Sequence, residues 1–423
     1  MPNDKRNSAR ALALRAFARW RGGRDFADRV AEQLFAHRGL RAPDRGFALD
    51  LFYGLLRNLT LLDFWIAQLR REQVDPATRD ILRLGLYQIM LLDTAAHAAV
   101  FETVDLAPRR ARSLVNALLR RALREKAALT SAAENQPPHI RFSEPEFLVA
   151  KWSREFGERI ALELCRWNQR PAFVYARINR LQITVAEFFE RYPQTHPVSG
   201  RENFVTLADP VGAAQRGDCY LQDPSTAIAC ELLRPRPGET VLDACAAPGG
   251  KSAYLAEMMV NTGTLIAVDR DQDRLTRLRD NLVRLKLRNA SPALCDWTNP
   301  ASVRAANFEK NSCDKILVDA PCSNTGTMRR RVDVRWRLRP EDFSRMPRQQ
   351  LAILRAVAAL LKPGGSLVYS TCSLEAEENE AVVAAFAREH PDFRLTNESR
   401  SLPFRDGFDG AYAARLQRSG TME

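Results

Sequence analysis

Two cysteines stand where this sequence could do covalent chemistry. Cys322 lies in Asp319-Ala320-Pro321-Cys322-Ser323, and Cys372 in Ser370-Thr371-Cys372-Ser373. Each follows an apolar run that reads as a strand, CDKILVDA at 313–320 and GSLVYSTC at 365–372. A single cysteine is most often a small buried apolar residue. Two at strand ends, on the sheet edge that also carries a glycine loop, favour chemistry. Carbon 5 of a pyrimidine is a poor nucleophile. A thiolate adding to C6 turns the ring into an enamine, and C5 can then attack an electrophilic methyl group. The C5 proton must afterwards leave and the thiol must be eliminated. A free thiol titrates near about 8.5, so such a site must depress that value or supply a base. Asp319, two residues before the Pro-Cys pair, could hydrogen-bond N3 and the exocyclic amine of a cytosine. The base must leave its stack to reach such a pocket. Spacing alone does not say which cysteine attacks.

The electrophile needs its own site. Strand 240–244 runs through Asp243 into CAAPGGKS at 245–252. Glycines before a helix let backbone approach a ligand, and the helix N-terminus offers free N–H groups. A phosphate loop is one reading of GKS at 250–252, but that motif needs glycine where Cys245 stands. Pro248 also removes an N–H that a phosphate cradle would use. S-adenosylmethionine fits better. Asp269 ends the next strand, where a carboxylate can accept both ribose hydroxyls, and Asp296 follows a third apolar stretch, where it can take the adenine edge. Asp269 taken singly could equally cap a helix. Asp243, Asp269, Asp296 and Asp319 all follow strands, at the edge where open α/β sheets bind ligands.

The elements that must position these residues come in three blocks. From 239 onward strands and helices alternate, which indicates a parallel sheet covered on both faces. Residues 171–222 hold short apolar runs between Pro and Gly and read as a small α+β unit. Residues 8–126 show helical spacing only, as in 110–124, 47–69 and 80–92. Segment 131–145, with three prolines, reads as a linker. Domains are therefore expected at 1–130, 146–228 and 229–423. The chain's 423 residues suit two to four domains of roughly 100–200 residues each. No apolar run is long enough for a membrane span, no apolar segment follows the charges of the first ten residues, and eight cysteines without a CxxC pair suggest reduced thiols. A soluble cytoplasmic protein is expected. Net charge is +12, and residues 1–130 carry 23 Lys/Arg against 14 Asp/Glu, so +9. That asymmetry points to a polyanion, or to the surface of an Arg-rich proteome. His37, His97, His139, His196 and His390 show no metal spacing, and no metal is expected.

With these residues in hand, the chain resembles the RsmB/Sun family of 16S rRNA cytosine-5 methyltransferases. DACAAPGGK (243–251), AVDRD (267–271), LVDAPCSNTGTMRRR (317–331), YSTCS (369–373) and EEN (377–379) match that family's motifs in order. SEPEFLVAKW (143–152), NQRP (168–171) and ARIN (176–179) resemble its small domain. DRGFALDLFYGLLR (44–57), LRLGLYQIMLL (82–92), AAVFETVDLA (98–107) and LVNALLRR (114–121) resemble its NusB-like leader. The resemblance implies a multidomain fold: an all-α NusB-like RNA-binding bundle, a small α+β (RRM-like) domain, then an α/β Rossmann-like S-adenosylmethionine-dependent methyltransferase domain. It implies Cys372 as nucleophile, Cys322 in product release and Asp319 at the base. It implies cofactor contacts at Cys245, Ala246, Ala247, Pro248, Gly249, Gly250, Lys251, Asp269, Asp296 and Asp319. The partner it implies is 16S rRNA, free or in early small-subunit particles, with a monomeric enzyme and cytosine 967 as the usual target.

There are departures. After the Pro-Cys motif this chain reads RRRVD (329–333) where the family has RRHPD, and DGAY (409–412) where it has DGFF. Six arginines and Trp336 in 329–339 suit phosphate contact and base stacking, so Arg329, Arg330, Arg331, Arg335 and Trp336 are expected to bind RNA. Two rival functions are the same chemistry on tRNA or another rRNA site, and a non-catalytic RNA-binding assembly factor.

Overall fold

A computed structural model describes residues 8–35, 41–92, 94–208 and 210–420. His37 lies outside them. The chain forms two compact units. One runs to Pro171 and also takes residues 328–337; the other holds 172–327 and 338 onward.

The first unit is helical. Its helices start where capping residues satisfy free N–H groups: the Ser8 hydroxyl accepts from Ala11 N at 3.2 Å, and the Asp75 carboxylate accepts from Thr78 N at 3.1 Å with Pro76 in the first turn. Segment 47–69 is two helices, Ala42–Arg57 and Leu59–Leu69, split where Asn58 turns its side chain back onto Gly54 O. Leu12, Phe17, Leu51, Phe52, Leu84 and Leu119 are fully buried in one core. Among the described residues no helix is long and apolar enough to cross a membrane.

The expected boundaries shift in two ways. Segment 131–145 is not an open linker. Lys126–Glu134 and Pro138–Arg141 are helices, and Ser143 and Glu144 are buried. The prolines sit at helix starts, where a missing N–H costs nothing. Helices Glu146–Phe156 and Glu158–Gln169, separated by Gly157 at φ +84°, belong to the helical unit and not to the α+β part.

The second unit carries two sheets. Strands β1 (Tyr175–Ile178), β2 (Thr195–Val198), β3 (Arg201–Leu207) and β4 (Cys219–Leu221) form an antiparallel sheet in the order β2-β3-β1-β4. One of its faces buries Ala176, Ile178, Val205 and Cys219 with Phe188. From the other, Arg177 pairs with Glu257 and Phe204 joins the core of the larger sheet.

That larger sheet contains β5 (Thr240–Asp243), β6 (Thr264–Asp269), β7 (Ala290–Leu294), β8 (Cys313–Asp319), β9 (Leu361–Thr371), β10 (Phe393–Ser401) and β11 (Ala411–Arg418), ordered β10-β11-β9-β8-β5-β6-β7. Pairing is parallel from β7 across to β9; β11 and β10 add antiparallel. Successive residues serve opposite cores. Val241, Leu265 and Leu317 enter one; Leu242, Val268 and Ile316 enter the other. The chain moves to either side of β5, first to β6 and later to β8. This is the switch point at which open α/β sheets hold ligands beyond the strand ends.

Candidate active site

The glycine loop is built against its neighbours. Gly249 has φ +108°, and a Cβ there would stand 2.7 Å from Leu278. A Cβ on Gly250 would meet Tyr220 at 2.8 Å. The positive φ makes Gly249 a glycine position, and at Gly250 a Cβ would have to displace the Tyr220 ring. The loop is pinned to the next strand: Ala246 N donates to Val268 O at 2.8 Å, and Ala247 N to Asp269 Oδ2 at 3.2 Å. Asp269 Oδ1 accepts from Asp271 N at 3.1 Å. Its carboxylate so takes two backbone donors and pairs with Arg274 at 3.4 Å, and the lone pairs left over suit a ribose diol. Asp243, fully buried, accepts from the Ser252 hydroxyl at 2.6 Å through Oδ2, while Oδ1 has no protein donor. Burial pushes its pKa up to about 7, against the pull of Ser252. An orphaned buried acceptor beside the loop fits a ligand that brings its own N–H or O–H groups. Asp296 is half-buried. Thr298 donates to its Oδ1 from N (2.9 Å) and hydroxyl (2.6 Å), and these bonds outweigh burial to hold the carboxyl below its usual range.

Lys251 and Asp319 form an ion pair at 2.7 Å, with Lys251 Nζ on Asp319 Oδ2. Burial alone would lower the Lys251 pKa; the charge and hydrogen bond of Asp319 overcome it and hold the ammonium above its ordinary value. The Ser370 hydroxyl donates to Asp319 Oδ1 at 3.3 Å. Cys245 is pushed well above the usual thiol range by burial and by the carboxylates of Asp243, Asp319 and Asp269.

The two thiols meet. β8 and β9 are parallel neighbours with Asp319 opposite Ser370, so both chains leave the sheet side by side. Cys322 Sγ lies 3.3 Å from Cys372 Sγ. They are not equivalent. Cys322 is buried and Cys372 is partly exposed. The hydrogen bond with Cys372, burial and the charges of Cys372 and Glu378 push the Cys322 thiol well above its ordinary range. The Cys372 thiol donates to Asn324 Oδ1 at 3.2 Å, and Asn324 Nδ2 donates to Cys322 O at 2.7 Å. Sequence reasoning passed over Asn324, Gln350 and Glu378 as site residues. Asn324 sits at φ +60°, a conformation asparagine tolerates, so the SNTG run was the available signal. Glu378 was visible only inside the EEN match.

The arginine-rich segment is elsewhere. Residues 328–337 pack in the helical unit. Arg335 pairs with Glu144 at 3.0 Å, both side chains fully buried, and donates to Ser143 O and Asn168 O. The Arg329 guanidinium lies 3.9 Å over the Trp167 ring and the residue is 2% exposed. Trp336 Nε1 donates to Leu56 O at 2.7 Å, and Val332 joins the helical core. Asp333 accepts from Trp20 Nε1 and Ala27 N. At three of the positions expected to contact RNA, the side chains are engaged inside the helical unit: Arg335 with buried carbonyls and a carboxylate, Trp336 with a carbonyl, and Arg329 against the Trp167 ring. Arg330 and Arg331 are half-buried, with Arg331 over Phe26 at 5.4 Å.

Sheet order, glycine loop and strand-end acids define a Rossmann-like methyltransferase of the S-adenosylmethionine-dependent class. Comparison with known proteins agrees. Residues 230–417 match the family described as 16S rRNA methyltransferase RsmB/F, and residues 7–124 match the NusB family. The Bacillus subtilis protein named "Probable ribosomal RNA small subunit methyltransferase B" is 32% identical over 98% of this chain and 100% of its own length. The Vibrio cholerae ribosomal RNA small subunit methyltransferase B is 33% identical over 90% of this chain and 92% of its own. The crystal structure of PH0851 shares the fold, with TM-score 0.78 and 24% identity over 99% of this chain and 100% of that one. A methyltransferase homologue from Pyrococcus horikoshii covers 66% of this chain with 97% of its own, at TM-score 0.57 and 29% identity. The chain belongs to the RsmB/F family of ribosomal RNA small subunit methyltransferases.

Proposed function

We propose that the protein methylates carbon 5 of a cytosine in 16S rRNA, cytosine 967 being the expected position, through a covalent bond from Cys372 to C6. The observation that carries this reading is the 3.3 Å approach of two chemically unequal thiols beside the cofactor edge of the sheet. S-adenosylmethionine supplies the electrophilic methyl group. Cys245 through Lys251, Asp269 and Asp296 would hold it, the loop by backbone and Asp269 by the ribose diol. Cys372, the more exposed sulfur, adds to C6 of the extruded base. Asp319, fixed by Lys251 and Ser370, accepts from the exocyclic amine and stabilises the enamine form. The hydrogen bond with Cys372, burial and the charge of Cys372 hold the Cys322 thiol high. With Cys372 bonded to C6 its hydrogen bond and charge are gone, so Cys322, its proton given up to solvent, can take the C5 proton as the Cys372 Sγ–C6 bond breaks and Cys372 leaves as thiolate. The RNA-facing surface belongs to parts other than Arg329, Arg335 and Trp336. A monomer acting in the cytoplasm on free or partly assembled small-subunit RNA fits this chemistry.

The test is nucleoside mass spectrometry on small-subunit rRNA from a strain lacking this gene. New 5-methylcytidine at one position after incubation with protein and S-adenosylmethionine is the expected result. Its absence on small-subunit rRNA, with appearance on tRNA, would overturn the substrate.

A further inference from the structure

Two sulfurs can serve one base only if both stay within reach of its ring. Parallel strands set a spacing of about 4.8 Å at the sheet, but Cys322 lies three residues and Cys372 two residues beyond the paired Asp319 and Ser370. Past the last ladder bond, the sheet no longer fixes their separation. Something must hold the two turns that follow.

Glu378 touches both. The residue is fully buried. Its Oε2 accepts from Ser323 N at 2.9 Å, the residue after Cys322. Its Oε1 accepts from the Ser373 hydroxyl at 2.8 Å, the residue after Cys372. Gln350, from helix Asp342–Ala358, donates through Nε2 to Glu378 Oε2 at 2.8 Å and to Pro321 O at 3.0 Å, the residue before Cys322. Tyr369 of β9 donates its hydroxyl to Glu378 O at 2.5 Å. Every group on the carboxylate is a donor, and among the described residues no Lys or Arg pairs with it. A buried carboxylate without a cation is costly, and three aligned donors repay that cost only while both turns stay in place. Further bonds run directly between the turns: Gly326 N to Cys372 O, Leu374 N to Thr325 Oγ1, Cys372 Sγ to Asn324 Oδ1, and the Ser373 hydroxyl with those of Ser323 and Thr325. Glu378 adds a third element to what would otherwise be two loops leaning on each other.

We infer that Glu378 is a positioning residue that clamps the Cys322 and Cys372 turns together and so sets the sulfur–sulfur separation the reaction needs. This rests on the two-thiol reading of the site. Cys322 is also the thiol whose proton Glu378 helps to retain.

The clamp can be read without any methyl transfer. Phenylarsine oxide condenses with two close thiols, forming two As–S bonds and releasing one water. The wild-type chain should capture one equivalent, and Cys322→Ser and Cys372→Ser should each lose it. Glu378→Ala should weaken capture by about tenfold or more, because the second sulfur no longer binds at high effective concentration. It should lower turnover by about 100-fold, the usual consequence of misplacing reacting groups by roughly 1 Å, while S-adenosylmethionine binding stays as in the wild type. Glu378→Gln should rescue most of both, since its amide can accept from Ser323 N and donate to the Ser373 hydroxyl. Wild-type capture by Glu378→Ala overturns the clamp, as does failure of the wild-type chain to capture. Should Glu378→Ala lose cofactor binding, Gln350→Leu decides: weakened capture with intact cofactor binding supports the clamp, unchanged capture refutes it. A wild-type chain that captures the arsenical yet methylates no RNA would defeat the proposed function and leave the clamp standing.

Discussion

Five residues separate Cys322 from Met328, and the two sides of that short stretch behave oppositely. The thiol stays at the strand ends of the sheet, in the expected place. Residues 328–337 that follow belong to the helical unit, and two of their arginines, Arg329 and Arg335, are buried in it. Both were nominated by residue type. What differs is how each is tied. Cys322 follows an apolar strand whose neighbours are fixed by a parallel ladder, so its location is inherited from the pattern. Arg329 and Arg335 follow no periodic element. A guanidinium carries five donors, and a cluster of carbonyls with one buried carboxylate satisfies them as well as a phosphate does. Charge in a loop therefore says that partners exist without saying which.

The contrast can be broken by mutation. Cys372→Ala should abolish methyl transfer while S-adenosylmethionine binding, measured by calorimetry, is kept; any surviving 5-methylcytidine would remove Cys372 as nucleophile. Cys322→Ala should leave the first step intact and stall release, so that a covalent protein–RNA adduct accumulates on denaturing gels. Arg335→Met takes the other side of the comparison. It leaves Glu144 buried without its cation, and the loss of one partner in a buried pair costs about 3–5 kcal/mol of stability. Denaturant unfolding should show that loss, with the salt dependence of RNA binding unchanged. A salt slope smaller by about one, with stability unchanged, would restore Arg335 as a phosphate contact.

The smallest effect concerns pH. Asp243 has its pKa raised from 3.8 to about 7. Between those values the folded state binds the extra proton, so this group's contribution to stability falls as pH rises from about 4 to about 7, and is constant beyond. Asp243→Asn should remove that part of the profile, gaining stability relative to wild type at pH 8 more than at pH 5. A parallel pair of unfolding curves across this range would show that Asp243 titrates normally.

Legibility followed periodicity. β5, β6, β8 and β9 were readable because strands buried on both faces are continuous apolar runs closing on Asp243, Asp269, Asp319 and Thr371. β10 and β11 were not. FRLTNESRS is a largely exposed edge strand, and AYAARLQR has the alanines and arginines of a helix. Their strand character comes from pairing with β9, a partner distant in sequence. The linker at 131–145 failed for a related reason. Prolines suggest a break wherever they stand, yet at a helix start they cost nothing, and only the tertiary fold tells the two apart.

What the sequence by itself determined is local and periodic: the glycine loop before its helix, the acids at strand ends, the two Cys-Ser turns, and the helical character of the leader. Each is written in residues within a few positions of one another, where backbone sterics and burial act directly. What only the tertiary structure decided is everything that depends on partners far along the chain. The 3.3 Å between Cys322 and Cys372 spans 50 residues, and Glu378 is 55 residues from Ser323. Glu144 and Arg335 lie across most of the catalytic sequence from each other and pair inside the helical unit. Hydrogen bonds and ion pairs have no period. A sequence shows which groups need partners, and the fold supplies them.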